Sequence, residues 1–214
     1  MTEPIRWTKF LLFMHDWMLK SEMLTKLIPL TADIFVFTYP VFLVAVYFYA
    51  IWKKNIEHKI WALFIFFSVF FATIFNIFSQ LFFDKQRPNV VLWLVDEKVE
   101  TVLHKFLPSS SFPSDHAVVS FSIATAILMY WIYKKNKFYK ITSIIFYIFA
   151  VIMCLARITS WVHWPTDIIA WAILWIIIPI LLIQKKVFWL LDKYILKNIV
   201  KIEENILNKI IKRN

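Results

Sequence analysis

Five stretches of this chain, residues 34–52, 60–83, 117–133, 141–156 and 168–183, are built predominantly of apolar side chains and separated by more polar loops, the one over residues 84–115 long. A hydrocarbon core about 30 Å thick takes roughly 20 apolar residues in a helix. A backbone inside lipid must satisfy its own hydrogen bonds, so each stretch is predicted to be a transmembrane helix. The fourth and fifth are short for this, and Phe138, Tyr139 and Trp164 extend them into the interface. Pro40 and Pro179 fall inside spans, where neighbouring groups can recover the lost hydrogen bond. With 61% hydrophobic residues and a mean hydropathy of +0.67, an ordinary soluble domain is ruled out. The expected fold is one all-α integral membrane helical bundle over residues 1–183, with residues 184–214 as a cytoplasmic tail.

Residues 1–32 are interrupted by His15, Asp16, Lys20, Glu22 and Lys26. They are predicted to form an interfacial amphipathic helix rather than a span or a signal peptide, with His15 an interfacial polar residue. The tail carries Phe188, Leu191, Ile195, Ile199, Ile202, Ile206 and Ile210 three or four residues apart, the pattern of a basic amphipathic helix.

The net charge of +10 would suggest nucleic acid in a soluble protein. Here Lys53, Lys54, Lys59, Lys134, Lys135, Lys137, Lys140 and the tail all fall on one side of the five-span topology. That side is expected to be cytoplasmic, facing anionic lipid, with no nucleic-acid partner. The opposite, outer side receives the N-terminus, the loop over residues 84–115 and the turn over residues 157–167. Cys154 is the single cysteine and excludes an intramolecular disulfide.

Chemistry-bearing residues collect at that outer edge. Arg87-Pro88 follows the second span; Ser-Phe-Pro-Ser-Asp-His, residues 111–116, precedes the third; and R-I-T-S-W-V-H-W-P-T-D, residues 157–167, joins the fourth and fifth. Pro165 fits the first position of a helix. Asp167 then lies in its first turn, four residues after His163, within reach of a hydrogen bond from the ring that would fix its tautomer. A phosphate uses this set best. Arg87 and Arg157 can neutralise its oxygens, and Ser114 and the N–H groups opening the third span can bind it. His163 is then a candidate nucleophile forming a phosphohistidine. His116 is the candidate acid and base, protonating the leaving oxygen and later activating water. No metal site or cofactor is expected.

Each residue has a plainer reading: a polar group at the interface, an arginine reaching for headgroups, or a simple helix cap over Pro113, Ser114 and Asp115. Their convergence on one face favours the functional reading.

These segments resemble the three motifs of the type 2 phosphatidic acid phosphatase family, over about residues 76–175. The last motif is matched by Arg157, His163 and Asp167 at the family spacing, with Ala156 where serine is usual. The middle one appears as Pro113, Ser114, Asp115 and His116, with Asp115 where the family has glycine. The first is matched at Arg87 and Pro88, with Gln80 at the lysine position and Lys85 nearby at a different spacing. The resemblance implies His163 as nucleophile, Asp167 as its orienter and His116 as acid and base. It implies Arg87, Arg157 and Ser114 as phosphate ligands, with Asp115 and Gln80 placed among them by motif position. The two departures are similar to the undecaprenyl-diphosphatase branch. This implies a lipid diphosphate substrate and a plasma-membrane enzyme facing outward, its other partners being membrane lipids. A broader phosphatidate or phosphatidylglycerophosphate phosphatase, or an inactive headgroup-binding relative, are the alternatives.

There is no glycine in the chain, where an average usage of about 7% would give roughly 15, and there are 11 tryptophans. Trp161, Trp171 and Trp175 stand where the family commonly has glycine. This raises the expectation that a UGA codon for glycine has been read as tryptophan. If the indoles are real, Trp161 is expected to narrow or distort the site.

Overall fold

The structure is a computed structural model that describes residues 3–83, 85–92 and 111–211, with the side chains of 171 and 174 excepted. Most of the long outer loop predicted from the sequence, residues 93–110, lies outside the described residues. In chain order the elements are α1 (Ile5–Leu19), α2 (Glu22–Trp52), α3 (Ile56–Gln80), the short α4 (Pro88–Val91), α5 (Asp115–Lys134), α6 (Lys137–Thr159) and α7 (Pro165–Leu182). The tail follows as α8 (Lys185–Leu191), a π-helical turn (Asp192–Leu196) and α9 (Lys197–Ile211). Helices α2, α3, α5, α6 and α7 are each long and apolar enough to cross a membrane. The fold is the expected all-α membrane bundle.

The largest departure from expectation is α2, which begins at Glu22 rather than near residue 34. Residues 22–33 therefore continue the helix of the first span rather than forming a separate interfacial helix. Their charges suit a helix start: Glu22 sits in the first turn and accepts from Lys26 at 2.7 Å, four residues on. At 31 residues the helix is about 46 Å long, longer than a hydrocarbon core, so its N-terminal turns carry the chain beyond the apolar layer.

Helix α5 is the axis of the bundle. Its most apolar window is 67% buried against 11% for α2. Ala117, Ser120, Ser122, Ala124, Thr125 and Ala126 are all buried, and side chains this small let α3, α6 and α7 pack closely on it. Two clusters fill the interior. One, with Trp61, Phe64, Ile127, Tyr130, Tyr139 and Phe146, lies toward the lysine-rich end. The other, with Leu11, Ala117, Phe121, Ile158, Trp164 and Trp175, lies under the opposite end. Local chemistry sets the helix starts. Asn55 accepts from the His58 N–H at 3.0 Å, and Asn136 from that of Phe138 at 2.9 Å. Large apolar side chains such as Phe70, Ile77, Phe78, Ile148 and Ile173 remain exposed on the outside of the bundle, the pattern of a lipid-facing surface.

The terminal helices are tied to the bundle. Helix α1 buries Leu11, His15 and Met18. At the other end, the buried Lys59 of α3 reaches Glu203 at 2.9 Å and Glu204 at 3.3 Å on α9. Leu191, Leu196 and Val200 turn inward while Ile202, Ile206 and Ile210 are exposed. The tail thus has one apolar face on the protein and a second facing outward.

Candidate active site

The site lies at the end of the bundle opposite the lysine-rich loops, where α3 ends, α5 and α7 begin and α6 turns over. The turn of residues 160–164 is held from two directions. Its start follows from α6, with the Ser160 N–H donating to Ala156 at 2.9 Å and the Val162 N–H to Arg157 at 3.1 Å. The segment at residues 85–92 then grips it. The Arg87 guanidinium donates to the Val162 carbonyl at 2.9 Å, the Trp164 indole to that of Gln86 at 2.9 Å, and the Asn89 N–H to that of Trp161 at 3.3 Å. Pro165 takes the first position of α7 as its sequence predicts, and the Asp167 carboxylate accepts from the Trp164 N–H at 3.1 Å, closing that helix start.

Arg157 is the hub. It is fully buried, and its Nη2 lies 3.3 Å from His163 Nε2 while its Nη1 lies 3.2 Å from His116 Nε2. The two imidazoles therefore turn the same ring nitrogen toward one guanidinium. Arg157 Nε and Ser114 Oγ, both buried, have no hydrogen-bond partner among the described residues. Buried polar atoms without partners are uncommon, and an anion bound against Arg157 would satisfy both. Ser114 precedes α5 but its hydroxyl makes no capping bond, so the plain reading of Pro113-Ser114-Asp115 as a cap does not describe what Ser114 does.

The tautomer of His163 follows from its partners. Its Nδ1 lies 2.6 Å from the carbonyl oxygen of Ser111. A carbonyl can only accept, so Nδ1 carries the hydrogen and Nε2 keeps its lone pair facing Arg157. Burial, and then the Arg157 and Arg87 guanidinium groups, hold this imidazole well below its ordinary value of 6.5, against the opposing effect of the Ser111 carbonyl. His163 is a neutral base at physiological pH. Arg87 is brought down to about 10, chiefly by burial and then by Arg157, and stays charged.

The expected hydrogen bond from the His163 ring to Asp167 is not the one formed. Asp167 Oδ2 accepts the Ser111 hydroxyl at 2.5 Å and Oδ1 accepts Lys85 Nζ at 2.6 Å. Asp167 acts on His163 through Ser111, because the strand of chain before α5 passes between them. Asp115 and Gln80, placed with the phosphate ligands by motif position, engage each other: Gln80 Nε2 donates to Asp115 Oδ1 at 3.0 Å, and Asn76 donates to the same oxygen. Gln80 thus orders the start of α5 rather than reaching Arg157 or either histidine in a direct bond.

The sequence reading missed three residues. Ser111 lay inside a quoted motif without a role. Lys85, dismissed for its spacing, also binds Glu3 at 2.7 Å and Thr166 at 3.0 Å, so the N-terminal segment closes over the Asp167 network. Asp33 of α2 is buried with Oδ1 2.7 Å from Arg157 Nη1 and 3.4 Å from His116 Nε2. An acid inside an apolar run was the signal that could have found it.

Trp161 sits in this turn with φ at 58°, the left-handed region that glycine enters without cost and a tryptophan does not. Its indole packs on His15 of α1, ring centroids 3.5 Å apart, and its Nε1 has no partner among the described residues. The backbone at 161 is thus one that suits glycine. Trp175 is buried in α7, and the Trp171 side chain lies outside the described residues.

Comparison with curated proteins and with solved structures found no match. A family model does match, that of the PAP2 superfamily, over residues 61–188. That range holds Lys85, Arg87, Ser111, Ser114, His116, Arg157, His163 and Asp167, while Asp33 and Glu3 lie before it. This chain belongs to the PAP2 superfamily, a group typically of phosphatases acting on lipid phosphates.

Proposed function

We propose that this protein is a metal-independent phosphatase that hydrolyses a polyprenyl diphosphate to the monophosphate and inorganic phosphate. The observation that carries this reading is the pair of histidine Nε2 atoms, 3.2 and 3.3 Å from one buried guanidinium. A phosphoryl group bound to Arg157, with Arg87 and the Ser114 hydroxyl as further ligands, lies between a lone pair and a proton donor. His163 Nε2 attacks phosphorus, and the bond to the bridging oxygen breaks as His116 passes it a proton. Positive charge appears on the His163 ring, where the Ser111 carbonyl accepts from Nδ1–H and the Asp167 carboxylate lies behind Ser111. Water then attacks the phosphohistidine, giving its proton to His116; the P–N bond breaks, its electron pair returns to Nε2, and inorganic phosphate leaves. The guanidinium groups neutralise charge on the transferring group in both halves.

The lipid character of the substrate is supported by a groove of about 460 Å³ between α2, α3 and α5, lined by Val36, Tyr39, Pro40, Phe66, Val119 and Ile123. Val119 lies one turn beyond His116 on α5, so a hydrocarbon chain in this groove hangs directly below the phosphate. The diphosphate preference rests on Asp115 and Gln80 at their motif positions. With the lysine-rich end on the cytoplasmic side, the site faces outward across the plasma membrane.

The test is phosphate release by the purified protein in detergent, with a chelator present, from undecaprenyl diphosphate, phosphatidate and phosphatidylglycerophosphate. The diphosphate should be turned over fastest and His163→Ala should be inactive. Equal turnover of the monoesters would replace the diphosphate reading with a broader phosphatase. No turnover of any, or an active His163→Ala, would leave a headgroup-binding protein.

A further inference from the structure

Asp33 lies on α2, outside residues 61–188 that carry the family match. It is a carboxylate in a helix whose neighbours in sequence are apolar, and it is 1% exposed. A single oxygen, Oδ1, lies 2.7 Å from Arg157 Nη1 and 3.4 Å from His116 Nε2, while those two nitrogens are 3.2 Å apart. The three atoms form a closed triangle. The Ala32 carbonyl, 3.5 Å from Nη1, lies beside it. Helix α2 thus supplies acceptors for the face of the guanidinium next to His116, leaving Nη2 for His163.

We propose that Asp33 is a positioning residue of the reaction: its carboxylate, set beside the Arg157 guanidinium, holds the transferable proton on His116 Nε2. The inference rests on the phosphatase reading above. The chemistry of the triangle is what distinguishes it from a structural ion pair. A carboxylate only accepts and a guanidinium only donates. When His116 carries a proton on Nε2, Asp33 accepts from it. When His116 has given that proton to the leaving oxygen, Arg157 Nη1 donates to the vacated lone pair. Each protonation state that an acid-then-base residue must visit has its own partner, and neither needs movement of a helix. Among the described residues, no other charged group facing His116 is placed to accept its Nε2 proton. Arg157 comes from α6, Arg87 from the segment before α4, and His163 from the turn before α7. Asp115, beside it on α5, is engaged by Asn76 and Gln80 of α3. Asp33 is the carboxylate placed against Nε2.

The experiment measures kcat/KM for wild type, Asp33→Asn and Asp33→Glu in detergent. The substrates are dioctanoyl phosphatidate, whose alkoxide leaving group needs a proton, and p-nitrophenyl phosphate, whose leaving group does not. Loss of proton donation costs on the order of 10²-fold or more. Asp33→Asn should lose about that on the phosphatidate and less than about tenfold on the aryl ester, with Asp33→Glu recovering part of the difference. The surviving aryl activity shows that the variant is folded. An equal loss on both substrates, or no loss on either, overturns the proposal and leaves the phosphatase reading intact. A wild type that hydrolyses neither of these nor undecaprenyl diphosphate overturns both.

Discussion

His163 and Ser111 are joined by a 2.6 Å contact between the ring Nδ1 and a main-chain carbonyl, and the Ser111 hydroxyl in turn reaches Asp167. The group that fixes the histidine tautomer is therefore a peptide oxygen, which no side-chain substitution removes. Asp167 orders the loop that presents that oxygen.

Ser111→Ala keeps the carbonyl and deletes the bond to Asp167. Removing a partner one step behind a reacting group typically costs 10- to 100-fold, and the loss here should lie near the lower end, about tenfold in kcat. Phosphate release by the purified variant measures it. A loss as complete as that of His163→Ala would mean that the hydroxyl itself touches substrate.

The lowered proton affinity of His163 sets the acid side of the pH profile. A nucleophile must be unprotonated, so the acid limb of kcat/KM should fall well below 6.5, the ordinary imidazole value. For stability the sign is the same. The unfolded chain takes up a proton near 6.5 and the folded chain does not, so this contribution is present above that pH and lost as pH falls below it. A profile with its acid limb at or above 6.5 would contradict the buried, neutral imidazole.

Lys85 holds Asp167 and Glu3 together in a buried cluster. Lys85→Met leaves two buried carboxylates facing each other. Removing one member of a buried ion pair costs about 3–5 kcal/mol, and thermal unfolding should show a correspondingly lower Tm. Glu3→Gln in the same background should restore part of it. A Tm unchanged in Lys85→Met would show that the N-terminal segment does not close over this network in solution.

Position 161 should be glycine in the protein as its own cells make it. A left-handed conformation costs a residue with a Cβ roughly 1–2 kcal/mol, and Trp161 adopts it at φ 58°. Peptide mass spectrometry of the native protein reads the residue directly, and a UGG codon there ends the idea. In a recombinant tryptophan form, Trp161→Gly should raise kcat if the indole distorts the turn that carries His163.

Much of this protein was legible in its sequence. Hydropathy alone located the spans, because a backbone in lipid must bond to itself and only a long apolar helix does so locally. Motif spacing placed Arg87, Ser114, His116, Arg157 and His163 at one end, because span order dictates which loops share a side. The extent of α2 was misjudged because charges at its start read as a break, whereas Glu22 and Lys26 occupy only its first turns. The partnerships inside the site lay beyond reach. Asp33 meets Arg157 across 124 residues of sequence, and Ser111 meets His163 across 52. Short-range pattern carries no information on such pairs. They depend on how α2 leans on α5 and α6 and on the path taken by the chain before α5. The sequence determined a membrane bundle with two histidines and two arginines at one end. Tertiary packing alone decided which oxygen each nitrogen faces, because in a buried site a donor can bond only to an acceptor that packing brings to it.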